Sequence, residues 1–188
     1  MIWYSALIAV LLGERAAELM VSARNSRWSL AHGGVEHARG QVLPMVLLHA
    51  GLLAGCLAEA WFAARSFLPW LGWPMLALVV LANALRWWCI LTLGRQWSTR
   101  VIVVPGMSAV RAGPYRWFRH PNYVAVAVEG AALPLVYTGW ITAIAFTALN
   151  AVLLLGFRVP AENRALRELG ASSPARPRQR VDGQGRNE

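Results

Sequence analysis

Lysine is absent from the 188-residue chain, acidic residues number nine, and charged side chains make up only 14% of the composition. A water-soluble domain would carry about 25% charge, so a globule with an ordinary polar shell is excluded. Cysteine is limited to Cys56 and Cys89, both inside apolar runs and without metal-type spacing. That excludes a disulfide framework and leaves two buried thiols. There is no internal repeat, no nucleic-acid-binding motif and no basic segment ahead of the first apolar run. The missing basic segment, together with Glu14, Arg15 and Glu18 inside that run, argues against a cleaved signal peptide.

What is there is apolar: 57% hydrophobic residues, ten tryptophans and a mean hydropathy of +0.43. The bilayer is the expected solvent. Five spans are expected, at about 2–23, 43–64, 70–93, 121–137 and 139–158. The fourth covers roughly 25 Å at 1.5 Å per residue, short against a hydrocarbon core of ~30 Å. Only Thr138 and Gly139 separate it from the fifth, so the two should form an antiparallel hairpin. The expected fold is all-α and polytopic, with one domain over 1–169. From Gly170 the chain is rich in Pro, Gly, Ser and Arg, and this tail should be disordered.

The arginines set an orientation. Fifteen fall in the 24–42 loop, the 94–120 loop and the segment from Arg158 onward, while Arg65 alone falls on the other side. Such a bias places the N-terminus outside and the C-terminus in the cytoplasm of a plasma or inner membrane. Because these arginines flank helices and do not form one face, nucleic acid is not an expected partner.

Several polar residues interrupt the spans: Glu14, Arg15, Glu18, His49, Glu59, Asn83, Arg86, Glu129 and Asn150. An ionisable group at such depth costs at least ~2.5 kcal/mol unless paired or hydrated, so each is a functional candidate. All but Glu59 fall at mid-membrane or toward the cytoplasm, where they would line one cavity. His49, Asn83, Arg86, Glu129 and Asn150 are the candidates for contact with a substrate. The competing reading is that Arg86 and Glu129 only glue helices together.

The 27-residue connection 94–120 contains the β-branched run "VIVVPG" and ends in "GPYRWFRHPNY". A connection so long is more often functional than idle. Pro121 fits the first turn of a helix, whose free N–H groups form an anion site beside Arg116, Arg119 and His120. Tyr115, Trp117 and Tyr123 offer flat faces to a purine or a cation. A nucleotide-like ligand with both a carboxylate and a cationic centre suits this mixture, and so does a plain interfacial aromatic belt.

"GPYRWFRHPNY", a short hairpin and then "RVPAENRAL" resemble the isoprenylcysteine carboxyl methyltransferase family of membrane methyltransferases, over about residues 70–169. The resemblance implies S-adenosylmethionine as cofactor and a lipophilic acceptor entering from the bilayer. It places Tyr115, Arg119, His120, Pro121, Asn122 and Tyr123 at the cofactor, and Arg158 and Glu162 near the reacting centre. Glu162 would be either a base or a cofactor ligand. Two positions depart from the family pattern: Ala125 replaces a common glycine, and Glu162-Asn163 replaces a glutamate pair.

The stretches "ERAAEL", "RNSRW", "GGVEH" and "PMVLLH" resemble bacterial members encoded near type III polyketide synthases, which implies a long-chain pyrone or phenolic lipid as acceptor. An isoprenylcysteine-like carboxylate remains the other acceptor the family implies. A membrane reductase using NADPH and a non-enzymatic scaffold are the alternatives in other classes. His32, Glu36 and His37 could be read as metal ligands, but a lid over the substrate mouth suits their Gly-Gly setting better and no metal is expected.

Overall fold

Thirty residues, Ile2–Ala31, form a first helix, α1. It runs past the apolar stretch of the sequence because polar positions 22, 25, 26 and 29 recur at helical spacing and are all buried. Helices α2 (Val42–Phe62), α3 (Pro69–Leu93) and α4 (Pro121–Leu135) follow. Then α5 (Trp140–Ala151), a π-helical stretch (Val152–Arg158) and α6 (Val159–Ser172) succeed one another without a break. The architecture is thus five helical rods. The computed structural model describes residues 1–172 except 39, 64, 108 and 109. The disorder expected from Gly170 meets a helix that extends to Ser172, and residues 173–188 lie outside the described residues.

Three helices are long and apolar enough to cross a membrane: Val42–Phe62, Pro69–Gln96 and Trp140–Ala165. The other two expected spans have visible reasons for falling short of that description. Glu14, Arg15 and Glu18 sit in the middle of α1, and α4 is only 15 residues long. Large apolar side chains such as Leu81 (63% exposed), Ile144 (68%) and Leu155 (71%) point outward, as they do where lipid replaces water. The chain is an integral membrane protein built mostly of helix.

One element departs from an all-α fold. Strands β1 (Val35–His37) and β2 (Val101–Val103) pair antiparallel, with Val35 opposite Val103 and His37 opposite Val101. The β-branched run "VIVV" is the half of this ribbon that local sequence favours. Its partner follows Gly34, where an added Cβ would stand 2.6 Å from the Ser29 carbonyl oxygen. The ribbon lies against α6.

Helix α4 packs between α3 and α5, and α5 also meets α2. The α4–α5 turn is tight. Thr138 takes φ +55, a region that β-branched residues rarely enter, while its hydroxyl donates to the Ser66 carbonyl at 3.0 Å. Glycine at 139 cannot cap α5 with a side chain, so α2 supplies the cap. The Glu59 carboxylate accepts from the backbone N–H groups of Ile141 (3.2 Å) and Thr142 (2.9 Å), and from Arg65 at 2.9 Å. A carboxylate at a helix N-terminus satisfies orphan donors and the positive end of the helix dipole together. Glu59→Ala should therefore lower stability by about 1–3 kcal/mol, read as a drop in the thermal midpoint in detergent. An unchanged midpoint would show that the α5 N-terminus is satisfied without Glu59.

Candidate functional site

The site begins where the long connection becomes α4. His120 stands at the helix entrance in a non-helical conformation (φ −133, ψ 61), and Pro121 occupies the first turn, where no N–H is required. One turn on, the Tyr123 ring stacks on His120 with centroids 5.3 Å apart. Tyr123 is the hub of a polar chain. Its hydroxyl donates to the Glu162 carboxylate and accepts from Arg158 Nε at 3.1 Å. His120 Nδ1 lies 3.5 Å from the other Glu162 oxygen, so both oxygens of that carboxylate face partners.

Arg158 and Glu162 reach this point through a wide turn. Pro160 has no N–H to give, and the sequence predicts a kink around it. The structure widens the helix just before the proline: Val159 N–H donates to the Leu154 carbonyl, five residues back. Such π-turns rotate the following side chains and recur at functional sites. Here the wide turn ends on Arg158, which is buried.

A cavity of about 270 Å³ opens over this chain of groups. Tyr115, Arg119, His120, Asn122, Tyr123, Arg158 and Glu162 line it, opposite a wall from β2 and the segment Gln96–Ser98. That wall is held by α1. Asn25 donates to the carbonyls of Gly94 (2.9 Å) and Trp97 (2.8 Å), Ser26 meets Ser98 at 2.8 Å, and Ser22 accepts from Thr99 N–H at 2.9 Å. Burial pushes the Tyr115 phenol well above its ordinary pKa, and the neighbouring Cys89 thiol adds to this. Tyr115 is thus a neutral hydrogen-bonding group.

A second cavity, of about 240 Å³, lies between α1 and α2. Leu12, Leu19, Val46 and Leu53 give it an apolar wall, and Arg15, Glu18, His49 and Arg86 put charge and polarity into it. Trp97, Ser98, Asn122, Tyr123 and Arg158 line both cavities. The two spaces therefore abut, and the Tyr123–Arg158 hydrogen bond stands at their boundary. Asn122 Oδ1, also at the boundary, is buried with no hydrogen-bond partner among the described residues.

Beneath the boundary two arginines and two glutamates form a closed ring. Arg15 pairs with Glu18 (3.1 Å) and Glu129 (3.4 Å), while Arg86 pairs with Glu18 (3.6 Å) and, closely, with Glu129. Asn83 accepts from Arg15 at 2.8 Å and anchors its own amide on the Val79 carbonyl.

The residues expected from the sequence divide accordingly. Those read as cofactor contacts line the first cavity, except Pro121, which is buried at the start of α4. Of the substrate candidates, His49 and Arg86 line the second cavity. Asn83 and Glu129 belong to the charge network behind it, and Asn150 is buried in α5 with Oδ1 unpartnered among the described residues. Ala125 is fully buried and lines neither cavity, so the missing glycine alters helix packing more directly than ligand approach. The segment "HGGVEH" supplies β1, and among the described residues no three His, Cys, Asp or Glu side chains converge for a metal. Trp97 and Ser98, which border both spaces, escape sequence reasoning because no motif marks them. The one available signal was the polar stripe 22–25–26–29 on α1, which needed a polar partner.

The family model of the isoprenylcysteine carboxyl methyltransferase (ICMT) family matches residues 75–168. That match covers α4, the hairpin and every group of the Tyr123 hub, so the chain belongs to the ICMT family, whose membership implies methyltransferase activity in a membrane. The chain is also 35% identical to a Bacillus subtilis (strain 168) protein called "Uncharacterized protein YpbQ", over 86% of this chain and 95% of that one. An "Uncharacterized protein" of Haemophilus influenzae is 23% identical over 90% of this chain and 98% of its own length.

The charge ring makes a measurable prediction. Arg86→Ala leaves Glu18 and Glu129 to share Arg15 alone, one buried negative charge in excess, and should cost about 3–5 kcal/mol, whereas an apolar replacement of Arg86 and Glu129 together should cost much less than the two single changes summed. Unfolding midpoints of the three variants in detergent test this. Additive losses would mean that the ring carries no mutual stabilisation.

Proposed function

We propose that the chain is an S-adenosylmethionine-dependent O-methyltransferase that acts on a lipophilic acceptor. The observation that carries this reading is the pair of abutting cavities, one polar and beside the long connection, one apolar and between helices, with Tyr123, Asn122 and Arg158 in both. A water-borne donor and a bilayer-borne acceptor need two entrances and one meeting point.

The residues of the first cavity fit the cofactor. The Tyr123 and Val124 N–H groups are taken by the His120 carbonyl, so the Asn122 N–H at the start of α4 and the Arg119 guanidinium are the groups that suit its carboxylate. Flat faces at His120 and Tyr123 suit adenine or the sulfonium. The unpartnered Asn122 Oδ1 suits a donor such as an ammonium or a ribose hydroxyl. When bound, S-adenosylmethionine supplies a sulfonium methyl group open to in-line displacement by an acceptor oxygen.

The protein's part in such a reaction is positioning and dryness. Arg158 is held by Tyr123 at the boundary of the two spaces, where its charge would orient an acceptor oxygen. Glu162 lines the first cavity, and both its oxygens already face partners. This supports the reading of Glu162 as the residue that fixes Tyr123 and His120, and weighs against a base aimed at the acceptor. The apolar wall between α1 and α2 would take the acceptor's long chain. The proposed acceptor is a long-chain pyrone or phenolic lipid, and an isoprenylcysteine-like carboxylate is the other acceptor considered.

The cofactor is tested by thermal protection. S-adenosylmethionine, and not NADPH, should raise the unfolding midpoint of the purified protein. His120→Ala and Tyr123→Ala should each weaken cofactor binding by at least ~1 kcal/mol. Equal affinity in both variants and the parent would reduce the motif to an interfacial anchor.

The proposed topology has five spans, the N-terminus outside and the site facing the cytoplasm, in keeping with the fifteen-to-one arginine bias. A reporter fused at the C-terminus should read as cytoplasmic and one at the N-terminus as external. The same side for both ends would require an even number of spans.

A further inference from the structure

The second cavity is oddly furnished for a space that need only hold hydrocarbon. Behind the Tyr123–Arg158 boundary it meets Arg15, Glu18 and Arg86 before its apolar wall continues outward between α1 and α2. The ring they share with Glu129 holds two positive and two negative charges, so it has no cationic surplus with which to hold an anion. Glu14, 3.9 Å from Arg15, only adds negative charge.

The ring is also incomplete as a hydrogen-bonding system. Glu18 is 6% exposed, and its Oε2 takes both arginines while Oε1 is enclosed with no partner among the described residues. Arg15 Nε and Arg86 Nε are likewise buried and unpartnered there. Leaving such groups bare costs the desolvation of each one. His49, on the same cavity, contacts the Met45 carbonyl through Nδ1 at 2.8 Å. A carbonyl can only accept, so Nδ1 carries a proton, and in the neutral ring Nε2 is an acceptor. The ring therefore presents enclosed acceptors and donors side by side, in charge balance within itself.

We infer that Glu18, with Arg15, Arg86 and His49 around it, forms a second polar subsite that binds a neutral hydroxyl or enol of the acceptor, separate from the oxygen presented at Arg158. A hydroxyl donates to Glu18 Oε1 and accepts from an arginine Nε, which satisfies both kinds of orphan. At that point a carboxylate would meet Glu18, and the two ring arginines are already matched by two glutamates. A bare hydrocarbon chain would leave every orphan unsatisfied. The inference deepens the proposed function and rests on it: the acceptor's head group carries two oxygen functions, one at the boundary and one at Glu18, with its chain beyond them between α1 and α2. Glu18 is thereby a specificity-determining residue.

The test is equilibrium binding to the full chain in nanodiscs, without cofactor. The probes are a long-chain resorcinol, the phenol of the same chain length that lacks the second hydroxyl, and the fatty acid of that length. The resorcinol should bind at least about tenfold more tightly than the phenol, the size of one hydrogen bond to a charged group, and the fatty acid should not exceed the phenol. In Glu18→Gln the resorcinol advantage should fall to less than about threefold.

Equal affinities for resorcinol and phenol in the unaltered protein would overturn the subsite, and that comparison needs no variant to fold. An advantage that survives intact in Glu18→Gln would overturn the assignment to Glu18, as would tightest binding by the fatty acid. Because the readout is binding, tight and selective capture of the resorcinol with no methyl transfer would count against the methyltransferase reading and leave the subsite standing. Methyl transfer to phenol and resorcinol bound with equal affinity would do the reverse.

Discussion

Arg15, Glu18, Arg86 and Glu129 come from three helices, α1, α3 and α4, and meet where a lone charge would be hardest to keep. Each ion carries a desolvation cost of several kcal/mol in a dry interior, and only a well-formed partner offsets it. In the ring every charge has two partners of opposite sign, so none of the three helices can slide or rotate without exposing an unpaired ion. That constraint fixes the depth at which Tyr123, six residues before Glu129 on α4, faces Arg158. It also brings α1 close enough for Ser22, Asn25 and Ser26 to grip the segment Gly94–Thr99 and so build the far wall of the first cavity.

The two ends of the molecule use carboxylates differently. At one end Glu59 serves backbone: it closes the N-terminus of α5 beside the four-residue turn 136–139 and lines neither of the two cavities. At the other, Glu162 is spent on side chains and orients Tyr123 and His120 from the far side of a π-turn. The helix α5–π–α6 is thus pinned at its start by α2 and near its end by α4. Between those pins the wide turn is free to set the angle of Arg158 without disturbing either anchor.

Much of this was legible in the sequence where the physics is local. The tight hairpin follows from two residues between apolar runs, the entrance of α4 from Pro121, and the cluster around Tyr123 from "GPYRWFRHPNY" read with "RVPAENRAL". Long-range pairing was not legible. Val35–His37 has no strand signal of its own and becomes one only because Val101–Val103 lies opposite. Arg86 and Glu129 could be suspected as a pair from depth alone, but Arg15 and Glu18 enter the ring only because α1 crosses α3 and α4 at that level. Pro160 showed that the last helix must yield there, though not that it would yield by widening one turn earlier.

The boundary between the two cavities is a matter of solvent as much as of shape. In the proposed function a sulfonium and an amino-acid carboxylate belong in water and a long acyl or prenyl chain belongs in the bilayer, so one protein would have to hold both without letting water follow the first or lipid follow the second. Here the partition is Tyr123, a ring stacked on His120 on one side with its hydroxyl tied to Arg158 and Glu162. Its aromatic body resists water, and its single polar atom is committed to two partners. Behind it Val126 continues the apolar wall, and the charge ring closes the floor with no net charge to draw counter-ions inward. An oxygen presented between Arg158 and Glu18 would thus sit in a space that is polar by design yet dry. In such a space a weak nucleophile is least solvated, and a methyl group is most readily accepted.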